Sequence, residues 1–302
     1  MDWAQISREL GALIQGEVKV SEPMRKHTSL RVGGTADLLV FPKGMADLRT
    51  ILELAQDRNV PLRVIGNGTN ILVPDEGLKG ITVSITEGFK GIAVSGGRIS
   101  IEAGRSLGSV VRTAVTKGLG GLTFAGGIPG TVGGAVVMNA GAFGADMSQV
   151  VKAVEALSFT GRLKRYRLEE LGFGYRTSVF QDHEKAVITR VAIELEPASP
   201  EELRAQVREY AARRRTTQPQ AESTAGSVFR NPPGDSAGRL LEEVGAKGMR
   251  IGDAQISPVH ANFIVNLGRA KSAEVKALLE ETRAMVEKSF GIRLEPEIVI
   301  LS

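Results

Sequence analysis

Residues 118–144 read GLGGLTFAGGIPGTVGGAVVMNAGAFG, a run too dense in glycine for an ordinary helix or strand. Glycine has no Cβ and reaches φ > 0 at little cost, so such a loop can turn several N–H groups toward one point and cradle phosphate without a basic side chain. The apolar run 134–138 can begin a helix whose N-terminus favours an anion further. Two familiar phosphate motifs are excluded. No Gly-Lys-Ser/Thr is present, and no Gly-x-Gly-x-x-Gly opens a βαβ unit with an acidic residue about twenty positions on. Taken alone, the glycines could equally serve tight turns.

A second loop shifts that balance. Residues 62–66 (LRVIG) read as a buried strand that ends in Gly66, Asn67, Gly68, Thr69 and Asn70 before another apolar run, 71–73. Asn-Gly by itself is a hairpin signal. Two such loops in one chain point instead to an extended ligand whose diphosphate is held by backbone amides from both sides.

The 302 residues suit two or three compact units. Hydrophobic content of 42% and charged content of 24% are ordinary for a folded chain. With no cysteine, disulfides, thiolate catalysis and cysteine-held metals are excluded. Three separated histidines, His27, His183 and His260, have no metal-ligand spacing, so no metal is expected. The start, MDWAQISREL, lacks the basic and apolar regions of a signal peptide, and no apolar run reaches membrane-spanning length. A cytoplasmic protein without membrane contact is expected. A net charge of +4 and the arginines at 213–215 are compatible with nucleic acid, but 5% aromatic content without basic interleaving offers no stacking platform. Pockets for a small anion are the better reading, and no nucleic-acid partner is expected.

Apolar periodicity predicts helices over 2–15, 45–58, 106–117, 200–215, 236–244 and 272–289. Strands are predicted over 36–41, 62–66, 81–85, 92–94, 98–103, 151–159, 162–167, 186–195, 254–256, 262–266 and 298–301, with 218–233 as loop. The class is α+β. A boundary near 197 separates the glycine-rich loops from a carboxy-terminal unit.

Three polar sites stand out. Arg176, beside Tyr175 in the glycine-flanked segment 172–180, is either an anion clamp or an ion pair at a turn. Ser227 follows a glycine in TAGSVFRNP, with Arg230 and Asn231 close by; this is not the Gly-x-Ser-x-Gly elbow, and no histidine arrangement makes it a nucleophile. Its hydroxyl could give a proton to a carbanion, or merely cap a turn. Glu295 and Glu297 flank Pro296 at the closing strand; Glu297 is tunable if buried beside a cleft and only solvated if exposed.

GNGTN at 66–70, GGIPGTVGG at 126–134, GYRTSVF at 174–180, AGSVFRNP at 225–232 and LEPEIVI at 294–300 together resemble the UDP-N-acetylenolpyruvoylglucosamine reductase family, in order and across nearly the full chain. The resemblance implies an FAD-binding fold of the vanillyl-alcohol-oxidase type in two subdomains, plus a carboxy-terminal α+β substrate domain. It divides the chain into an amino-terminal helix and first FAD subdomain over 1–60, a second FAD subdomain over 61–197, and a substrate domain over 198–302 whose last residues could pack back on the FAD part. It implies a flavoprotein oxidoreductase of peptidoglycan precursor synthesis, hence of cell wall biogenesis, cell shape and division. NADPH is the implied co-substrate, FAD is bound non-covalently, and UDP-N-acetylglucosamine enolpyruvate is reduced to UDP-N-acetylmuramate by hydride at C3. Ser227 matches the proton donor to C2, and Arg176 and Glu297 match the groups that stabilise the enolate.

By the same resemblance FAD is held by residues 66–70, Gly127, Ile128, Pro129, Gly130, Thr131, Gly133, Gly134 and Asn139. Tyr175, Gln218, Arg230, Asn231 and Asn262 are the implied contacts of the sugar nucleotide, in a monomeric enzyme. The chain lacks the tyrosine-bearing insertion of the longer variety and so resembles the shorter type. A Lys or Arg at position 218 would have supplied charge to the diphosphate; residues 213–215 are the candidates to replace it. Another flavin oxidoreductase of this fold would not need the Arg–Ser–Glu set, and a non-enzymatic nucleotide binder would hold FAD without turnover.

Overall fold

The computed structural model describes residues 1–182, 184–220 and 223–302, so His183 lies outside the described residues. The chain forms two compact units. The first comprises Met1–Val20, Leu38–Asn67 and Gly80–Arg213, the second Ser21–Asp37, Gly68–Lys79 and Arg214–Ser302.

A four-stranded sheet, mainly of the first unit, runs in the order Glu17–Pro23, Thr35–Phe41, Leu78–Ser84, Leu62–Ile65. Its last pair is parallel, with Leu62 opposite Ile81 and Ile65 opposite Ser84. The helix Met45–Asp57 connects two of these strands and buries Leu48, Ile51, Leu52 and Ala55, the positions that the 3.6-residue period marks. The second sheet is five-stranded and antiparallel, in the order Leu163–Arg167, Val151–Ser158, Ala186–Glu194, Arg98–Glu102, Ile92–Ser95. One hydrophobic core joins both sheets with Leu107, Val110, Val111 and Ala114 of the helix Leu107–Thr116.

The second unit has its own core around Val228, Phe229, Leu240, Leu278 and Ile298. Its antiparallel sheet runs Ser223–Ser227, Phe263–Asn266, Ala254–Ile256, Arg250–Ile251. Phe229 is 1% exposed, a burial worth about 2–3 kcal/mol. The long helix Ser272–Phe290 starts where the N–H groups of Ser272 and Ala273 donate to the Asp75 carboxylate at 2.8 and 2.9 Å. That distant residue satisfies orphan donors which no local cap reaches. The helix ends at Gly291 with φ 67°.

Three segments correct the sequence expectation. Ser223–Ser227, expected as loop, is a strand, because Ser223 and Thr224 pair with Asn266 and Val265 some forty residues away and Gly226 at φ 82° forms a bulge that lets Ser227 pair with Phe263. Glu17–Pro23, in a stretch between the predicted helix 2–15 and strand 36–41 where no element is predicted, is an edge strand. The glycine-rich segment also contains a hairpin, Gly141–Ala142 with Ala145–Asp146. Ser223–Ser227 and the hairpin carry no apolar alternation and are decided by a partner strand, and Glu17–Pro23 alternates only at Val18 and Val20, too short a run to mark a strand by itself.

Candidate active site

In the first unit, the strand Leu62–Ile65 delivers Gly66 against the glycine-rich loop 126–134. A Cβ on Gly66 would lie 2.5 Å from Thr131 Oγ1, so the two loops are in contact and only glycine fits between them. Thr131, 1% exposed, accepts from the N–H of Gly134 at 3.1 Å and caps the short helix Val132–Val137. Gly127 and Gly130 take φ 85° and 123°. The N–H groups of Val132, Gly133 and Gly134 are spent on Arg105, Ala103 and Thr131. Those of Gly127, Gly130 and Thr131 donate to nothing among the described residues. Converging loops with unspent amides and no room for side chains have the donor set that a nucleotide diphosphate requires. Asn139 (φ 39°) is 2% exposed; its amide donates to Gly174 O at 2.9 Å and its oxygen accepts from Ser148 N–H at 3.0 Å, so its side chain ties two loops together.

Arg176 lies in the same unit at the turn where Gly174 and Thr177 bridge, with φ 57°. Its Nη2 donates to Gly141 O at 2.8 Å, and its guanidinium carbon sits 5.1 Å from the centre of the Tyr175 ring. Tyr175 is half exposed. Gln181 Nε2 donates to the Arg176 carbonyl at 2.7 Å, which secures the left-handed turn.

Ser227, Glu297, Arg230, Asn231, Asn262 and Gln218 belong to the second unit. Ser227 is half-buried at the bulged end of its strand, and its hydroxyl makes no hydrogen bond among the described residues. The next residue, Val228, accepts from Glu297 N–H at 2.8 Å, so backbone pairing brings the serine and glutamate segments side by side. The Asn70 amide donates to the Glu297 carbonyl at 3.0 Å. Asn262, 3% exposed, clamps Phe229 from both sides: its Oδ1 accepts from Phe229 N–H at 2.9 Å and its Nδ2 donates to Phe229 O at 2.8 Å. Arg230 N–H donates to Glu295 O at 2.8 Å. Asn231 Oδ1 accepts from Ala237 N–H at 3.0 Å at the start of the helix Ala237–Glu243. Gln218 follows the end of the helix Pro200–Thr217.

Sequence reasoning gave His260 no role. Its Nδ1 accepts the N–H of Asn262 at 3.1 Å, and its ring fills the space beside Gly238, where a Cβ would lie 2.9 Å from Cε1. It belongs to no sequence motif, and its role lies in these contacts alone. Burial holds its pKa below the ordinary 6.5, Lys247 adds to that, and Glu242 opposes it. The folded state therefore resists the proton that the unfolded chain accepts. The contribution is complete above about pH 6.5 and is lost as pH falls below that value. Urea denaturation followed from pH 7.5 to 5 should show stability falling more steeply in the parent chain than in His260→Gln; equal slopes would remove His260 as the source.

Residues 36–167 match the family described as FAD binding domain, and residues 218–301 match UDP-N-acetylenolpyruvoylglucosamine reductase, C-terminal domain. UDP-N-acetylenolpyruvoylglucosamine reductase 2 of Symbiobacterium thermophilum is 45% identical, with 94% of this chain and 92% of that protein covered. The reductase of Desulforamulus reducens is 39% identical over 100% of this chain and 99% of its own. The crystal structure of UDP-N-acetylenolpyruvylglucosamine reductase from Thermus caldophilus superimposes with a TM-score of 0.82 at 37% identity, covering 96% of this chain and 100% of that one. An alkyldihydroxyacetonephosphate synthase, 17% identical, shares the fold alone, with a TM-score of 0.50 over 65% of this chain and 44% of its own. The fold is the FAD-binding fold of the vanillyl-alcohol-oxidase type with a carboxy-terminal α+β domain. No helix among the described residues is long and apolar enough to cross a membrane.

Proposed function

The chain belongs to the UDP-N-acetylenolpyruvoylglucosamine reductase family of FAD-dependent oxidoreductases, and from that premise we propose that it uses NADPH to reduce the enolpyruvyl ether of UDP-N-acetylglucosamine enolpyruvate to UDP-N-acetylmuramate, as a monomer acting on small molecules in the cytoplasm. The unspent amides of Gly127, Gly130 and Thr131, beside a Gly66 that admits no side chain, fit the FAD diphosphate. Bound FAD would supply hydride transfer, from NADPH to C3 of the enolpyruvyl ether.

Adding hydride at C3 leaves an electron pair on C2 that delocalises into the substrate carboxylate, and one proton completes the reduction. Ser227 gives that proton. The observation that carries this assignment is its half-buried hydroxyl, which spends its hydrogen on no other group among the described residues. Arg176, whose planar fork matches a carboxylate, binds the carboxylate on which the enolate charge collects. Glu297, on the segment paired with Val228, completes the polar environment of the enolate. Tyr175, Gln218, Arg230 and Asn231 are assigned to the sugar nucleotide, and Asn262 serves the site by bracing the Ser227–Phe229 backbone. Stopped-flow absorbance under anaerobic conditions tests the reading. NADPH should bleach the flavin band and UDP-N-acetylglucosamine enolpyruvate should restore it, whereas a flavin that the second substrate does not reoxidise would exclude this reaction.

A further inference from the structure

The hairpin Gly141–Ala142 with Ala145–Asp146 is closed by two residues, Phe143 and Gly144, at φ 55° and 81°. Positive φ at both positions is the type I′ pattern, which favours Asn-Gly or Asp-Gly and strains a bulky residue in the first place. Phe143 is also 38% exposed, so burial in a core does not explain an aromatic at this tip. What engages it is Tyr210, on the helix Pro200–Thr217: the two rings stack with centroids 3.9 Å apart and planes 6° apart. Offset or parallel stacking of this kind adds to whatever area the rings bury.

The other end of the hairpin is held as firmly. Asn139 joins Ser148 N–H to Gly174 O, and Ala140 O accepts from Met147 N–H at 3.1 Å. Between the two anchors lies Gly141, whose carbonyl accepts from Arg176 Nη2 at 2.8 Å. A Cβ on Gly141 would lie 2.5 Å from Ala145 O, so the paired strand also restrains that residue. All these groups belong to the first unit. An arginine side chain has large rotamer freedom, and a guanidinium held in place before substrate arrives loses less of it in the transition state.

We propose that Phe143 and Tyr210 are positioning residues for Arg176: the stack at the hairpin tip holds the Gly141 carbonyl, and that carbonyl sets the guanidinium. This rests on the assignment of Arg176 to the substrate carboxylate. An asparagine at position 143 would be easier on the backbone but would leave the tip unanchored.

The test uses the flavin-loaded full chain. Tyr210→Ala and Phe143→Asn should each slow reoxidation by UDP-N-acetylglucosamine enolpyruvate about 10- to 100-fold while leaving reduction by NADPH within about twofold. Tyr210→Phe, which keeps the ring, should stay within about threefold of the parent. Phe143→Asn suits the turn and should melt no lower than the parent, which separates positioning from folding. In an Arg176→Ala background Tyr210→Ala should add less than about twofold, because both changes remove one device. Additive losses, equal slowing of both half-reactions, or an unaffected Tyr210→Ala would overturn the inference. If Arg176→Ala itself turns over normally, the assignment of Arg176 falls and takes the inference with it. If Arg176→Ala is slow while Tyr210→Ala and Phe143→Asn are not, the inference alone falls.

Discussion

Ser227→Ala should reduce its flavin with NADPH at the parent rate, within about twofold, and then reoxidise it with UDP-N-acetylglucosamine enolpyruvate about 10²- to 10⁴-fold more slowly, the range of a positioned general acid. The first half-reaction needs no proton at C2, so it does not sense the hydroxyl. The second leaves an electron pair on C2 that only water could then neutralise. The substitution is also clean. Because the hydroxyl has no hydrogen-bond partner among the described residues and is only half-buried, its loss should move stability by less than about 0.5 kcal/mol. A thermal melt beside the stopped-flow traces checks this. Equal slowing of both half-reactions would mean that Ser227 shapes the pocket and does not protonate; an unchanged second half-reaction would move the acid role to another group.

Gly68→Ala should lower the melting temperature by about 10 °C and leave the purified protein colourless. A Cβ on Gly68 would lie 2.1 Å from the His27 carbonyl oxygen and 3.0 Å from Thr28 Cα, at a φ of 62°. Both neighbours are backbone, and Gly68 O is itself tied to Ser29 N–H at 3.0 Å, so neither side yields cheaply. Strain and clash together cost about 2–4 kcal/mol. Gly96→Ala is the control. Gly96 has nearly the same φ, 57°, in the turn between Ile92–Ser95 and Arg98–Glu102, but nothing lies within 4 Å of its Cβ position. It should cost only the conformational part, about 1 kcal/mol, and keep its flavin. Calorimetry and the flavin absorbance after gel filtration decide between them. Equal effects at the two sites would show that left-handed strain, not close approach, governs the Gly68 loop.

The helices Met45–Asp57, Leu107–Thr116 and Ser272–Phe290 were legible because their apolar residues recur at the helical period and carry their own evidence locally. Strands such as Leu62–Ile65 and Val151–Ser158 were legible as apolar, β-branched runs. Ser223–Ser227 was not, since STAGS has no strand propensity and is extended only because Asn266, Val265 and Phe263 pair with it. Asp75 shows the same limit: nothing local marks a turn residue as the cap of a helix that begins at Ser272.

The candidate site divides in the same way. Arg176 and Ser227 stood out because each is a polar group set among glycines and apolar residues, although an ion pair or a turn cap would have explained either one taken alone. Asn139 and Asn262 are expected at ligands, and the structure shows in addition that each side chain braces nearby backbone. Residue type announces hydrogen-bonding capacity but not the partner. His260, Phe143 and Tyr210 carried no signal at all, because a half-buried imidazole and a ring stack between residues 143 and 210 are properties of contact and not of spacing.

The run 118–144 marked, by its glycine content alone, a backbone that either turns tightly or can be approached closely, and its kinship with 66–70 pointed to a ligand with a diphosphate, because glycine content is a local requirement written into each loop. Only the tertiary structure decided that Gly66 meets Thr131, which amides remain unspent, and that Phe143 at the end of the same run stacks on a tyrosine of a distant helix. Those outcomes depend on pairing and packing between segments far apart in the chain, and no local propensity encodes them.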